Sequence, residues 1–220
     1  MTPNQMKLSI DSRLRRAQLA IDNALSDADI RAALLPYGYD ETRLQQGKAL
    51  YDSTMALQRT QEVEYSEQYA ATAEFKKLFG TADVAYMDAV KIARIALRDN
   101  TAGWQALELN GKRKESLAGW LRQAQQFFVN ALGNADVVTA MSHFGFDQVK
   151  LQAAFDQVNA VAAANAAQQK EKGEAQQATK QRDAALDDLE QWLADFKVVA
   201  MIALRDHPQW IEKLGLAVVA

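Results

Sequence analysis

At 220 residues and 49% hydrophobic composition, the chain can bury a core as one domain or as two small ones. A formal net charge of -3 excludes a global attraction to nucleic acid or to an anionic membrane, and the absence of cysteine excludes disulfides, thiolate metal ligands and a cysteine nucleophile. The N-terminal residues hold no apolar core of signal-peptide length, and no stretch approaches the roughly 20 apolar residues of a membrane span, so composition predicts a cytoplasmic protein without membrane contact.

The first predicted element is a helix from about Ser9 to Leu25. Ile10, Leu14, Ala17 and Ile21 share one face at 3- and 4-residue spacing, and Ser9 sits where an N-cap would. A short helix follows near Asp29 to Leu35. The stretch "PYGYDETRL", residues 36 to 44, then reads as a corner between helices. Gly38 suits the left-handed residue that ends a helix, and Asp40 suits the N-cap of the next one. Tyr39 and Leu44 flank that cap as a hydrophobic staple. On this reading one corner accounts for every letter of the motif that the later copy shares.

From Glu41 to Asp99 the only breakers are isolated glycines, Gly47 and Gly80, and no turn cluster interrupts the helix formers. Two arrangements satisfy this: an unbroken helix, or a hairpin of two. Leu44, Tyr51, Met55, Tyr65, Tyr69, Phe75, Phe79, Tyr86, Val90, Ala93 and Leu97 fall at near-heptad spacing, which predicts a packed stripe. The polar stretch "QRTQEVE", Gln58 to Glu64, marks an exposed midpoint.

The remaining chain repeats the first part. Shifting the sequence by 107 residues aligns 7 to 99 with 114 to 206 without a gap, and about 28 of those 93 pairs are identical. "IALRD" recurs at Ile95 to Asp99 and Ile202 to Asp206, and "HFGFDQVKL", 143 to 151, repeats the corner with Gly145, Asp147, Phe146 and Leu151. A helix from Ser116 to Leu132 and a short one near Asp136 to Ser142 follow the same plan. The pattern predicts an all-α protein made by tandem duplication of a unit of about 107 residues, with a first helical repeat at 1–112 and a second at 113–220. The repeats are expected to pack as one pseudo-twofold domain, long helices antiparallel and coiled-coil-like, shorter helices at the ends.

Candidate chemistry is sparse. Glu64 and Glu67, repeated as Glu171 and Glu174, form E-x-x-E pairs that would offer four carboxylates to a metal, but helical di-metal sites use Glu-x-x-His, and His143 and His207 stand elsewhere. Solvated helix surface is the simpler reading. Arg98 and Arg205, each followed by aspartate, are placed to meet the negative end of a long helix and are secondary candidates for a ligand. All six tyrosines lie in the first repeat, which makes Tyr51, Tyr65, Tyr69 and Tyr86 candidates for a pocket lining. The basic stretch "GKRKES", 111 to 116, reads as a solvated linker, and "RLRR", 13 to 16, lies on the first helix. No nucleophile motif, phosphate loop, dinucleotide fingerprint or zinc pattern occurs. The sequence therefore predicts a non-enzymatic scaffold or interaction protein without a cofactor, acting on a protein partner or its own copy. The alternative is a helical bundle that binds a small molecule or metal in its tyrosine-rich first repeat.

Overall fold

In the computed structural model, residues 8 to 216 are described, and they form eight α-helices and no strand. In chain order these are α1 (Ile10–Ser26), α2 (Ala28–Leu34), α3 (Glu41–Ala96), α4 (Thr101–Ala106), α5 (Leu117–Leu132), α6 (Ala135–Ser142), α7 (Gln148–Ala203) and α8 (Pro208–Lys213), with a 3-10 turn at Leu35–Tyr37. The all-α expectation holds, and the long element is continuous: α3 and α7 each run unbroken for 56 residues. No helix among the described residues is long and apolar enough to cross a membrane.

Caps set the boundaries. The Ser9 hydroxyl accepts from the Ser12 N–H at the start of α1, and the Ser116 hydroxyl from the Gly119 N–H at the start of α5. Asp27 and Asn134 each accept two backbone N–H groups at the starts of α2 and α6. Paired helices begin 107 residues apart throughout: α1 and α5, α2 and α6, α3 and α7, α4 and α8.

The chain divides into two compact units, Met1–Tyr65 with Glu174–Ala220, and Ser66–Gly173. The first unit combines α1, α2 and the first part of α3 with the last part of α7 and α8. Its apolar interior joins Ala20, Ile30, Leu34, Tyr39 and Leu44 to Phe196, Ala200, Leu204 and Leu214, and Leu14, Ile21 and Tyr51 to Leu186 and Leu189. Within it α3 and α7 are antiparallel, because α7 contacts fall in number as α3 contacts rise. Gly47 lies under Trp192, the Thr54 hydroxyl donates to the Ala185 carbonyl at 3.1 Å, and the Gln58 carbonyl oxygen accepts from Arg182 at 2.9 Å.

The second unit combines the last part of α3 and α4 with α5, α6 and the first part of α7. Tyr86, Val90, Leu97, Leu107 and Leu109 pack against Trp120, Phe127, Phe128, Met141, Leu151 and Val158. Gln168 on α7 donates to the Thr72 hydroxyl on α3 at 3.2 Å.

The same polar contacts recur inside each unit at matching positions. Asn23 donates to the Lys213 carbonyl in the first and Asn130 to the Ala106 carbonyl in the second. Arg13 makes a two-pronged ion pair with Glu190 in the first, while at the matching positions of the second the Trp120 indole N–H donates to Asp83 at 2.8 Å. A polar side chain thus ties α1 or α5 to the neighbouring long helix in each unit, although its chemistry differs.

Helices α4 and α8 end in the same turn, with Leu109 N–H bonded to the Trp104 carbonyl and Leu216 N–H to the Ile211 carbonyl. The left-handed residue is Gly215 in one, at φ +66°, and Glu108 in the other, at φ +48°. A side chain there is strained, and the 4.0 Å pairing of Glu108 with Arg122 near the surface offsets little of that. Glu108→Gly is expected to raise stability by about 0.5–1 kcal/mol, read as a higher denaturation midpoint. Gly215→Ala is expected to lower it, since its Cβ would lie 2.6 Å from the Leu19 side chain.

Candidate functional surfaces

The two corners are built alike. After the 3-10 turn, Gly38 adopts φ +81° and its N–H donates to the Leu35 carbonyl, while Tyr39 N–H reaches the Leu34 carbonyl. Asp40 accepts from the Arg43 N–H at 2.8 Å. At the second corner Gly145 has φ +75°, Gly145 and Phe146 donate back to Ser142 and Met141, and Asp147 accepts from Lys150 at 2.9 Å. Tyr39 and Leu44 are buried, as are Phe146 and Leu151, which is the staple arrangement. A cation covers each buried ring: Arg43 lies 4.4 Å from the Tyr39 centroid, and Lys150 lies 4.0 Å from that of Phe146.

One letter of the motif is left over. Tyr37 and Phe144, the first aromatic of each corner, differ between the copies and are 49% and 47% exposed, so the corner's packing does not use them. Glycine, staple and cap need only the residues that follow. Leu35 and Val149 are exposed as well.

The tyrosines do not gather. Tyr51 is buried in the first unit, Tyr86 is buried in the second, and Tyr69 on the second unit is 68% exposed. Tyr65 also lies on the surface, so neither it nor Tyr69 belongs to the packed stripe that heptad spacing predicted. Tyr39, which spacing assigned only to the corner, meets Trp192 and Phe196 edge-on at 5.9 and 5.2 Å. Burial pushes its hydroxyl pKa up against the opposing pull of Arg43, and the buried hydroxyl meets no partner in good hydrogen-bond geometry. The matching residue is Phe146. Tyr39→Phe is therefore expected to hold stability constant or raise it by up to about 1 kcal/mol, whereas a loss above about 1 kcal/mol in chemical denaturation would mean the hydroxyl is bonded.

The chain matches no protein-family model, no curated protein and no solved structure.

A cleft of ≈ 430 Å³ opens in the first unit between α1 and α3. Leu14, Tyr51 and Met55 line it with Asp11, Arg15, Gln18, Gln58, Arg59 and Glu62. Two carboxylates and two guanidinium groups balance at its rim, and Gln58 is already engaged by Arg182 and Glu62. Lys48 stands 4.9 Å from the Tyr51 centroid.

Glu64 and Glu174, in the first unit, bring carboxylate oxygens within 4.8 Å of each other, with one buried Glu64 oxygen lacking a hydrogen bond. In the second unit Glu171 pairs with Lys170 at 3.2 Å, and Glu67 is exposed. Neither histidine accompanies these acids: His143 follows α6, and His207 precedes α8, stacked 3.9 Å from Trp210. Arg98 and Arg205 are exposed and come after the last helical residues, Ala96 and Ala203. The arginine inside the last turn of α3 is Arg94, which donates to the carbonyls of Leu109 and Gly111 at 3.1 and 3.2 Å. Sequence reasoning passed over Arg94 because its partners lie beyond α4, and its matching residue is Met201.

Proposed function

We propose that the protein is a non-enzymatic, cytoplasmic helical interaction protein, made by duplication of a unit of about 107 residues, that docks a protein partner or its own copy through its corners. The observation that carries this reading is the pair Tyr37 and Phe144. Each is a large aromatic at the same place in its corner, exposed, and surplus to the glycine, staple and cap that form the turn. Exposed tyrosine and phenylalanine supply apolar contact area at low conformational cost, the property that makes aromatics frequent anchors of interfaces. Arg43 and Lys150, on the rings of Tyr39 and Phe146, give each corner a cation as well. Neither nucleic acid nor membrane enters this reading, and it requires no cofactor.

The test replaces Tyr37 and Phe144 by serine, singly and together, in protein purified from its own cells and weighed by native mass spectrometry. Wild type is expected to carry a partner chain or a second copy, and the double variant to lose it with its thermal midpoint unchanged. A complex that survives both substitutions would contradict the reading.

A second reading rests on the cleft at Tyr51. A small amphiphilic molecule with one acidic and one basic group would match its apolar floor and balanced rim. A ligand that raises the thermal midpoint of wild type, and fails to do so for Tyr51→Ala, would support it.

A further inference from the structure

We infer that the two halves of the sequence are binding partners for each other, so that the covalent connection between α4 and α5 is dispensable and either half can be supplied by a second copy of the chain. This goes beyond the corner surfaces and does not depend on them. In the first unit Ile30, Leu34, Tyr39 and Leu44 of the first half share their apolar interior with Phe196, Leu204 and Leu214 of the second. In the second unit Tyr86, Val90 and Leu97 of the first half bury themselves against Trp120, Phe128 and Leu151 of the second. Every apolar cluster among the described residues crosses the midpoint of the sequence. A half alone would expose its side of each.

Polar contacts across the halves give the pairing its specificity. The carboxamide of Asn23 in the first half recognises the Lys213 carbonyl at the end of α8, and that of Asn130 in the second recognises the Ala106 carbonyl at the end of α4. The Arg13–Glu190 ion pair and the Trp120–Asp83 hydrogen bond occupy matching places. The latter two, being part-buried, reject a slipped register, because a shift of one residue leaves half-buried polar groups unpaired. The connection itself supplies little of this. Gly111, Lys112, Lys114 and Glu115 are exposed, and Gly111 has φ +74° with open space where a Cβ would stand. What anchors it comes from Arg94, Arg113 and Gln123, whose hydrogen bonds with it flank the Gly111–Lys112 bond. The link therefore acts chiefly by raising the effective concentration of one half for the other.

The experiment inserts a protease recognition site between Gly111 and Lys112 of the full chain, cuts the folded protein and weighs it under native conditions. A complex of one copy of each half, with the helical content of the uncut chain, is the expected result. Its thermal midpoint should fall on dilution, whereas that of the uncut chain should not. Mixing with an isotopically labelled cut sample, followed by partial denaturation and renaturation, should give hybrids of labelled and unlabelled halves. Halves that separate at micromolar concentration, or that never form hybrids, would overturn the inference. If the first insertion prevents folding, one between Lys112 and Arg113 serves the same test.

Discussion

Gly47→Leu is expected to destabilise the protein by about 3 kcal/mol, measured by chemical denaturation. Glycine inside a helix normally costs about 1 kcal/mol relative to alanine, so propensity alone would make any replacement stabilising. Packing reverses the sign. A Cβ built at Gly47 lies 2.4 Å from the Trp192 ring, and that ring is held by stacking on Phe196 at 5.2 Å and by the edge of Tyr39 at 5.9 Å. Gly47→Ala should destabilise by about 1–2 kcal/mol for the same reason. Gly80 in the same helix supplies the control: nothing lies within 4 Å of its Cβ position, and Gly80→Ala should stabilise by about 1 kcal/mol. At the places matching Gly47 and Trp192 the second unit has Ala154 and Ala85, an exchange of one small–large pair for two small residues. The double variant Gly47→Ala with Trp192→Ala should therefore lose less than the two single losses added together.

The second large effect falls on Tyr86, which the sequence offered as a pocket lining and the fold uses as a hub. Its ring meets Trp120, Phe127 and Phe128 at 6.0, 5.6 and 6.0 Å, and its hydroxyl accepts from Arg113 at 3.2 Å. Tyr86→Ala is expected to cost about 3–5 kcal/mol, the range for emptying a buried aromatic site. Tyr86→Phe keeps the rings in place and removes only the Arg113 bond, so about 1 kcal/mol is expected. Calorimetric midpoints of the two variants distinguish a core role from a ligand role, because a ligand contact would leave the stability of the unliganded protein unchanged. Burial also pushes the Tyr86 hydroxyl pKa up, against the opposing pull of Arg113. The unfolded chain releases that proton near the ordinary value of about 10. The stabilisation is thus whole below about pH 10 and is lost as pH rises through the folded value.

Much of the local structure was legible because it rests on short-range chemistry. The caps at Ser9 and Ser116, the left-handed glycines Gly38 and Gly145, and the staples at Tyr39 and Phe146 each follow from a few adjacent residues. Continuity of α3 was not legible, since Gly47 looks like a breaker when its reason is the Trp192 ring on another helix. Periodicity also overreached. Tyr65 and Tyr69 continue the spacing that buries Tyr86, Val90 and Leu97, yet they lie on the surface, because spacing specifies a face and not whether anything covers it. The exposed pair Tyr37 and Phe144 stayed hidden inside a motif whose remaining letters had a complete structural explanation.

The measurement that tests the account most directly is chemical cross-linking of introduced cysteine pairs, which a chain without native cysteine allows without background. The antiparallel register of α3 and α7 sets the pairing on which both apolar interiors depend. One variant carries cysteines in place of Gln58 and Arg182, and a second carries them in place of Thr72 and Gln168, two pairs in hydrogen-bond contact. A short bismaleimide is expected to join each pair within one chain, shown by intact mass and peptide mapping. A chain in which the long helices fold back on themselves or run parallel would leave both pairs unlinked, and that outcome would contradict the account.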